Sequence, residues 1–329
     1  MLSLIRTFLI ILSSIVLSAC SDQNLEPERT SDGLISVVLQ TDWFAQPEHG
    51  GFYQALAKGY YKQVGLDVTI LQGGPNANSI QKIIRGRAQF AMNRIDTILT
   101  LNSNKLPLVF VCTTLQSDPQ ALMVHEASAY YQFKDLNGKR IMATPGQTWI
   151  PFIERAYDIT FEIIPHDYGL ERFLADPDFI QQCLLTSEPY YVQKAGAHTR
   201  IIPLSSTGFD PYHGIYVHAE FLKKNPETVQ KFIAASIHGW QDFILNDPSP
   251  AFKLIASRNR QMDQDFMTFC RNELIQRNLV TGPDQSGKSI GKIDPDRINI
   301  IVDQLKKLKL LDHGYHANNA YSVDYLPAP

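Results

Sequence analysis

Asp42, Trp43, Phe44 and His49 follow the apolar run Leu34–Thr41 (L-I-S-V-V-L-Q-T) closely. A carboxylate, two aromatic faces and an imidazole grouped this way suit a flat, nitrogen-bearing ring. Such a ring stacks on Trp or Tyr, and a carboxylate accepts from its amines. Similar groups recur where other apolar runs end. They are Gly73 and Gly74 with Asn76, Asn93 with Arg94, Trp149 in T-P-G-Q-T-W, Ser187 with Glu188 and Tyr190, and Tyr212 with His213. An anionic ligand would instead call on guanidinium groups or helix N-termini. Gly73-Gly74 ahead of a helix, and Arg94, keep that alternative open. Each position also has a structural reading: Asp42 as a turn cap, Trp43 as a core aromatic, Glu188 as a surface turn or lobe-closing ion pair, the tyrosines as packing.

The elements that must position these residues alternate. Strands are expected at Leu34–Thr41, Leu66–Leu71, Ala88–Met92 and Leu108–Leu115, with helices between them, the first spanning Gly51–Val64. That rhythm predicts a parallel sheet with helices on both faces. A second cluster of short strands is expected at Ala121–His125, Arg140–Ala143, Phe161–Ile164, Cys183–Thr186 and Ile201–Leu204, before Ile215–Val217. Beyond it the pattern is helical. Pro226 opens a helix in which Val229, Phe232, Ile233, Ile237, Trp240, Phe243 and Ile244 form one apolar stripe. In open α/β sheets ligands bind outside the carboxyl ends of strands, which is where the candidate residues fall.

The chain has 329 residues, 44% hydrophobic and 19% charged, and a formal net charge of -3. It is long enough for about two domains and is not of disordered or disulfide-scaffold composition. Without a concentrated basic footprint, nucleic acid is not an expected partner. Residues 1–20 read as a signal peptide: Arg6 gives the positive region, Thr7–Leu17 the apolar one, and Leu17-Ser18-Ala19-Cys20 a lipoprotein-type cleavage site. Cys20 is therefore expected to be acylated and to anchor an exported chain to a bacterial membrane facing the periplasm or exterior. Residues 21–33 read as a flexible tether. Cys112, Cys183 and Cys270 remain. Buried free thiols are the expectation for Cys112 and Cys270, with one disulfide left open.

Several runs carry a resemblance. They are Asp42-Trp43 with His49-Gly50-Gly51-Phe52-Tyr53, Lys58-Gly59-Tyr60-Tyr61, Gly65-Leu66-Asp67-Val68, Gly86-Arg87-Ala88-Gln89-Phe90, Asp135-Leu136-Asn137-Gly138-Lys139, Glu188-Pro189-Tyr190 and Phe221-Leu222-Lys223-Lys224-Asn225-Pro226-Glu227. In this order, over roughly residues 34–328, the chain resembles the substrate-binding proteins of ABC importers. The branch is that of thiamine pyrimidine precursor binders, with alkanesulfonate, taurine and nitrate binders as relatives. The resemblance implies an α/β fold of periplasmic-binding-protein type II, two lobes with doubly wound sheets joined by two crossover strands. Residues 34–118 plus 215–329 would form the first lobe and 119–214 the second. It implies a small-molecule ligand in the cleft. The residues expected to bind it are Asp42, Trp43, His49, Tyr53, Gly73, Asn93, Arg94, Trp149, Glu188, Tyr190 and Tyr212. It further implies an ABC permease and its ATPase as partners, a monomer, no cofactor, no metal and no catalysis. Alternatives are a sulfonate, taurine or nitrate binder, a binder of another heterocycle such as a flavin or purine, a sensor lipoprotein, and an enzyme like the fungal pyrimidine synthase. That synthase uses a Cys-rich run this chain lacks. Two departures fall near the cleft: Phe179-Ile180-Gln181-Gln182-Cys183 replaces the family's G-x-V-D-A, and the second lobe is short around 150–164.

Two further motifs are coincidental by this reading. Gly282–Ser289 (G-P-D-Q-S-G-K-S) matches a phosphate loop, and Gly287–Gly291 matches G-x-S-x-G. Both motifs need a strand before and a helix after. A helical pattern precedes them and Ile290–Pro295 cannot sustain a helix. His313 and His316 lack a third ligand at metal spacing.

Overall fold

The computed structural model describes residues 26–327. The signal peptide, the Cys20 acylation site and residues 21–25 of the tether lie outside the described residues. The first elements are β1 (Ile35–Gln40), α1 (Gly50–Ala57), α2 (Tyr60–Gln63), β2 (Leu66–Leu71), α3 (Ser79–Ile84), β3 (Phe90–Arg94), α4 (Ile95–Ser103) and β4 (Leu108–Leu115). Next come β5 (Gln120–His125), β6 (Lys139–Ala143), α5 (Trp149–Tyr157), β7 (Phe161–Pro165), α6 (Glu171–Ala175), β8 (Ile180–Leu184), α7 (Glu188–Lys194) and β9 (Thr199–Pro203). The chain then runs through β10 (His213–His218), α8 (Ala219–Lys224), α9 (Pro226–Leu245), α10 (Ser249–Arg258), α11 (Gln264–Gln276) and α12 (Pro295–Lys307).

Two five-stranded sheets result, in the orders β2-β1-β3-β10-β4 and β7-β6-β8-β5-β9. The chain passes to the second sheet between β4 and β5 and returns between β9 and β10. Neither sheet is wholly parallel. β10 runs antiparallel to β3 and β4, and β5 antiparallel to β8 and β9. This reversal places the first residues of β5 and β10 beside the carboxyl ends of their neighbours. His213 pairs with Arg94 and Leu115, and Gln120 pairs with Leu184. Side chains from both strand directions therefore meet at one rim, facing the other lobe.

The apolar stripe of α9 packs on α1 and β3. Phe232 stacks on Phe90 at 3.7 Å and on Tyr61 at 5.4 Å, and Trp240 meets Phe52 edge-on. The two helices approach so closely that a Cβ on Gly51 would lie 2.1 Å from the Trp240 ring. The Gly50-Gly51 pair is thus a packing device. The exposed edge of β4 is covered by the C-terminal segment, where Phe110 N–H donates to Ala320 and Ser322 N–H donates to Phe110.

Some local expectations shift. The helix expected over Gly51–Val64 breaks at Gly59, whose φ of +74° ends α1 and starts α2. Part of the expected tether is pinned: Arg29 bridges Ile35, and Ser36 N–H donates to Glu28 at 2.8 Å. Gly282–Ser289 lies in turns between α11 and α12, with no strand before it. Cys112, Cys183 and Cys270 are all buried and unpaired.

Candidate functional site

A cavity of about 900 Å³ lies between the lobes at the carboxyl ends of the strands. That volume suits a small organic molecule. Asp42 opens the loop after β1, and its side chain is 42% exposed. His49 Nε2 donates to Asp42 Oδ1 at 2.8 Å, and His213 Nε2 reaches Oδ2 at 3.1 Å. Burial beneath both lobes opposes ionisation. The charge of His213 and the hydrogen bonds from both imidazoles outweigh it and hold Asp42 well below the usual carboxylate range. The His213 ring also meets Thr114 through Nδ1 at 3.3 Å, so both of its nitrogens are engaged. The two histidines thus aim a carboxylate at the cavity.

Gly73 supports this arrangement from behind. Its N–H donates to Trp43 O at 2.8 Å, and any Cβ there would fall 2.3 Å from the Asp42 carbonyl carbon. Asn93 and Arg94 line the cavity from the end of β3. The guanidinium is charge-paired: Nε and Nη2 donate to Asp96 at 3.1 and 3.2 Å, and Nη1 lies 3.0 Å from Asp118 but makes no hydrogen bond. Burial opposes its charge, but Asp118 and Asp96 raise its pKa and keep it cationic. The Asn93 side chain is turned back to accept from Arg94 N–H.

At the far end lie Glu48 and Glu188. Glu188 accepts from Leu184 N–H at 2.7 Å. Burial, with Glu48 nearby, pushes its carboxyl up to about 7. Glu48 accepts from Thr186 across the lobes at 2.5 Å and from the Cys270 thiol at 3.1 Å, and burial raises its pKa too. Thr148 of the second lobe likewise donates to Asp96 of the first. The walls are aromatic: Trp43 and Phe44 from the first lobe, Tyr168 and Tyr191 from the second, and Phe266 from α11.

Asp42, Trp43, His49, Asn93, Arg94 and Glu188 therefore share the cavity, and five expected residues lie off it. Tyr53 faces inward from α1 into the lobe-one core, where burial pushes its phenol up to about 12. Trp149 is wholly buried in the second hydrophobic cluster, near Phe161, because the first turn of α5 turns it inward. Tyr190 packs on Phe266 and Phe269, and the next residue, Tyr191, lines the cavity instead. Tyr212 is buried beneath the Arg297 guanidinium at 4.0 Å, and the adjacent His213 makes the cavity contact. Gly73 contributes backbone support. Glu48, Asp118, His166, Tyr168 and Gln182 were not anticipated. Gln182 lies in the Phe179–Cys183 departure near the cleft, and the turn-forming Asp167-Tyr168-Gly169 signals a loop rather than a site.

Comparison with known proteins places this geometry. A family model described as NMT1/THI5 like matches residues 46–251. The 4-amino-5-hydroxymethyl-2-methylpyrimidine phosphate synthase THI11 of Saccharomyces cerevisiae is 26% identical over 252 residues, 70% of this chain and 73% of its own. The riboflavin-binding protein RibY of Chloroflexus aurantiacus is 24% identical over 265 residues, 73% of this chain and 74% of that protein. Among solved structures, the alkanesulfonate-binding protein SsuA of Xanthomonas axonopodis pv. citri, bound to MOPS, superposes with a TM-score of 0.63. That match covers 88% of this chain and 98% of that one at 13% identity, and it shows the shared fold. The expectation of a chain without catalysis is overturned: several relatives carry the name of a pyrimidine phosphate synthase. The relatives thus include named enzymes as well as a named binding protein. With the family match running from Gln46 to Ala251, and two α/β lobes of the periplasmic-binding-protein fold around one cleft, this chain belongs to the NMT1/THI5-like family.

Proposed function

We propose that this protein binds a small amino-bearing heterocycle of the thiamine pyrimidine precursor class in the interlobe cleft. It does so as an exported monomer anchored through Cys20, and it presents the ligand to an ABC permease and its ATPase. The lobes are 34–118 plus 215–329 and 119–214. The observation that carries this reading is the state of Arg94. It is the one guanidinium lining the described cavity, and the carboxylates of Asp96 and Asp118 flank it and balance its charge. A sulfonate, taurine or nitrate would meet a guanidinium whose charge two carboxylates already balance, beside the further carboxyls of Asp42, Glu48 and Glu188. Asp42 and Glu188 instead supply acceptors for ring and exocyclic N–H groups, and Tyr191 supplies an aromatic wall beside them.

A thermal-shift panel tests this, because a ligand at 100 times its Kd stabilises by about 2.7 kcal/mol. The expected result is a shift with 4-amino-5-hydroxymethyl-2-methylpyrimidine and none with taurine or alkanesulfonates. A shift with sulfonates alone would reject it. A second reading, synthesis of a pyrimidine phosphate, is favoured by the enzyme names of the relatives. Product formed on incubation with pyridoxal 5′-phosphate and iron would assign that reading.

A further inference from the structure

We propose that Tyr168 is the second lobe's half of an aromatic clasp that closes the cleft mouth on Trp43, and that neutral His166 is its positioning residue. The inference takes from the preceding section only that the cleft is the binding site. Trp43 and Tyr168 come from opposite lobes, and their ring centroids are 5.1 Å apart at 44°. That spacing leaves no room for a flat ring between them, so the pair closes on itself over the cavity. Phe44 flanks Trp43 edge-on at 5.6 Å, and His166 stacks on Tyr168 at 4.9 Å. A row of four rings crosses the mouth.

Tyr168 is held there against its own preference. Its φ is +63°, a left-handed conformation unfavourable for a bulky side chain. The hydrogen bonds around it hold it in place. Tyr168 N–H donates to His166 Nδ1 at 2.8 Å, and the other nitrogen, Nε2, lies 3.2 Å from Gln182 O. Gly169 N–H donates to Asp167, and Gln181 donates back to Gly169 O. Accepting at Nδ1 and donating at Nε2 defines the neutral imidazole. A second proton would occupy Nδ1 and displace the Tyr168 N–H. Burial lowers the His166 pKa, in keeping with that tautomer.

The charged neighbour of His166 on its own loop is Asp167, which is paired with Arg172 at 3.3 Å. β8 offers Gln182 and Cys183. Across the same cavity stand Asp42, Glu48, His49 and His213 of the first lobe and Glu188 of α7. The clasp is thus expected to hold at neutral pH and to loosen as pH falls below the ordinary histidine range.

Trp43 reports the clasp without any ligand, because Trp149 and Trp240 are 0% and 1% exposed. Acrylamide quenching of the purified full chain is the measurement. Tyr168→Ala is expected to raise the accessible quenching about twofold at pH 7.5. Tyr168→Gly, which suits the left-handed backbone, is expected to do the same, tying the effect to the ring. Wild type should approach those variants at pH 5. His166→Asn keeps an acceptor for the N–H two residues on, so it should stay protected at both pH values. His166→Leu should be open at both. Equal quenching of wild type and both Tyr168 variants at pH 7.5 would overturn the clasp. An acid response in His166→Asn equal to that of wild type would overturn the role of His166. Both outcomes are independent of which ligand binds, so a failed ligand panel and a failed clasp are distinguishable.

Discussion

Asp42 enters binding with its direction and charge already fixed, each oxygen held by a different imidazole. Replacing it with Asn leaves the shape and removes the charge. Asp42→Asn is expected to cost about 2 kcal/mol of ligand binding, or about thirtyfold in Kd, measured by titration calorimetry. Glu188 works differently, because its carboxyl sits at about 7 rather than at its ordinary 4.5. The folded state holds this proton more tightly than the unfolded chain. Its contribution to stability is therefore present below about pH 4.5 and is lost as pH rises through about 7. Glu188→Gln should match wild type in melting temperature at pH 4 and exceed it at pH 8. The ionised form is the acceptor for an amino ligand, so wild-type affinity should rise about tenfold between pH 6 and pH 8. The Gln variant should be weaker and flat across that range.

The helix pair α1 and α9 decides where the β1 loop sits, and Gly51 decides how near the two come. Gly51→Ala is expected to destabilise by about 1–3 kcal/mol in urea unfolding, because the added methyl meets the Trp240 ring. Much of this layer was legible beforehand. The α9 stripe and the strands Leu66–Leu71 and Leu108–Leu115 form as their periodicity predicted, since each buries a continuous apolar face. Asp42, Trp43 and His49 were legible because they lie together in one loop. The misses have two causes. Residues on short helices were assigned without their rotation, so Tyr190 was named where Tyr191 faces the cavity and Tyr53 where the core claims the ring. Contacts between lobes, such as Glu48 with Thr186 at a separation of 138 residues, leave no local pattern at all. The antiparallel entry of β10 brings His213 to Asp42, and strand propensity carries no sign of strand direction.

The chain crosses between the two sheets twice, through residues 116–119 and 204–212. The lobes are drawn together by the Glu48–Thr186 and Asp96–Thr148 hydrogen bonds and by the Trp43–Tyr168 contact. Inside, charge selects the ligand: Asp96 and Asp118 balance the cavity's guanidinium, while Asp42 and Glu188 face the ligand space. Titration calorimetry of the purified protein with 4-amino-5-hydroxymethyl-2-methylpyrimidine and with taurine, at pH 8, separates the two ligand classes. Saturable binding of the pyrimidine that weakens in Glu188→Gln is expected, with no heat from taurine. Saturable binding of taurine with none of the pyrimidine would overturn the proposed ligand class, because the charge that Asp96 and Asp118 balance on Arg94 would then serve an anion.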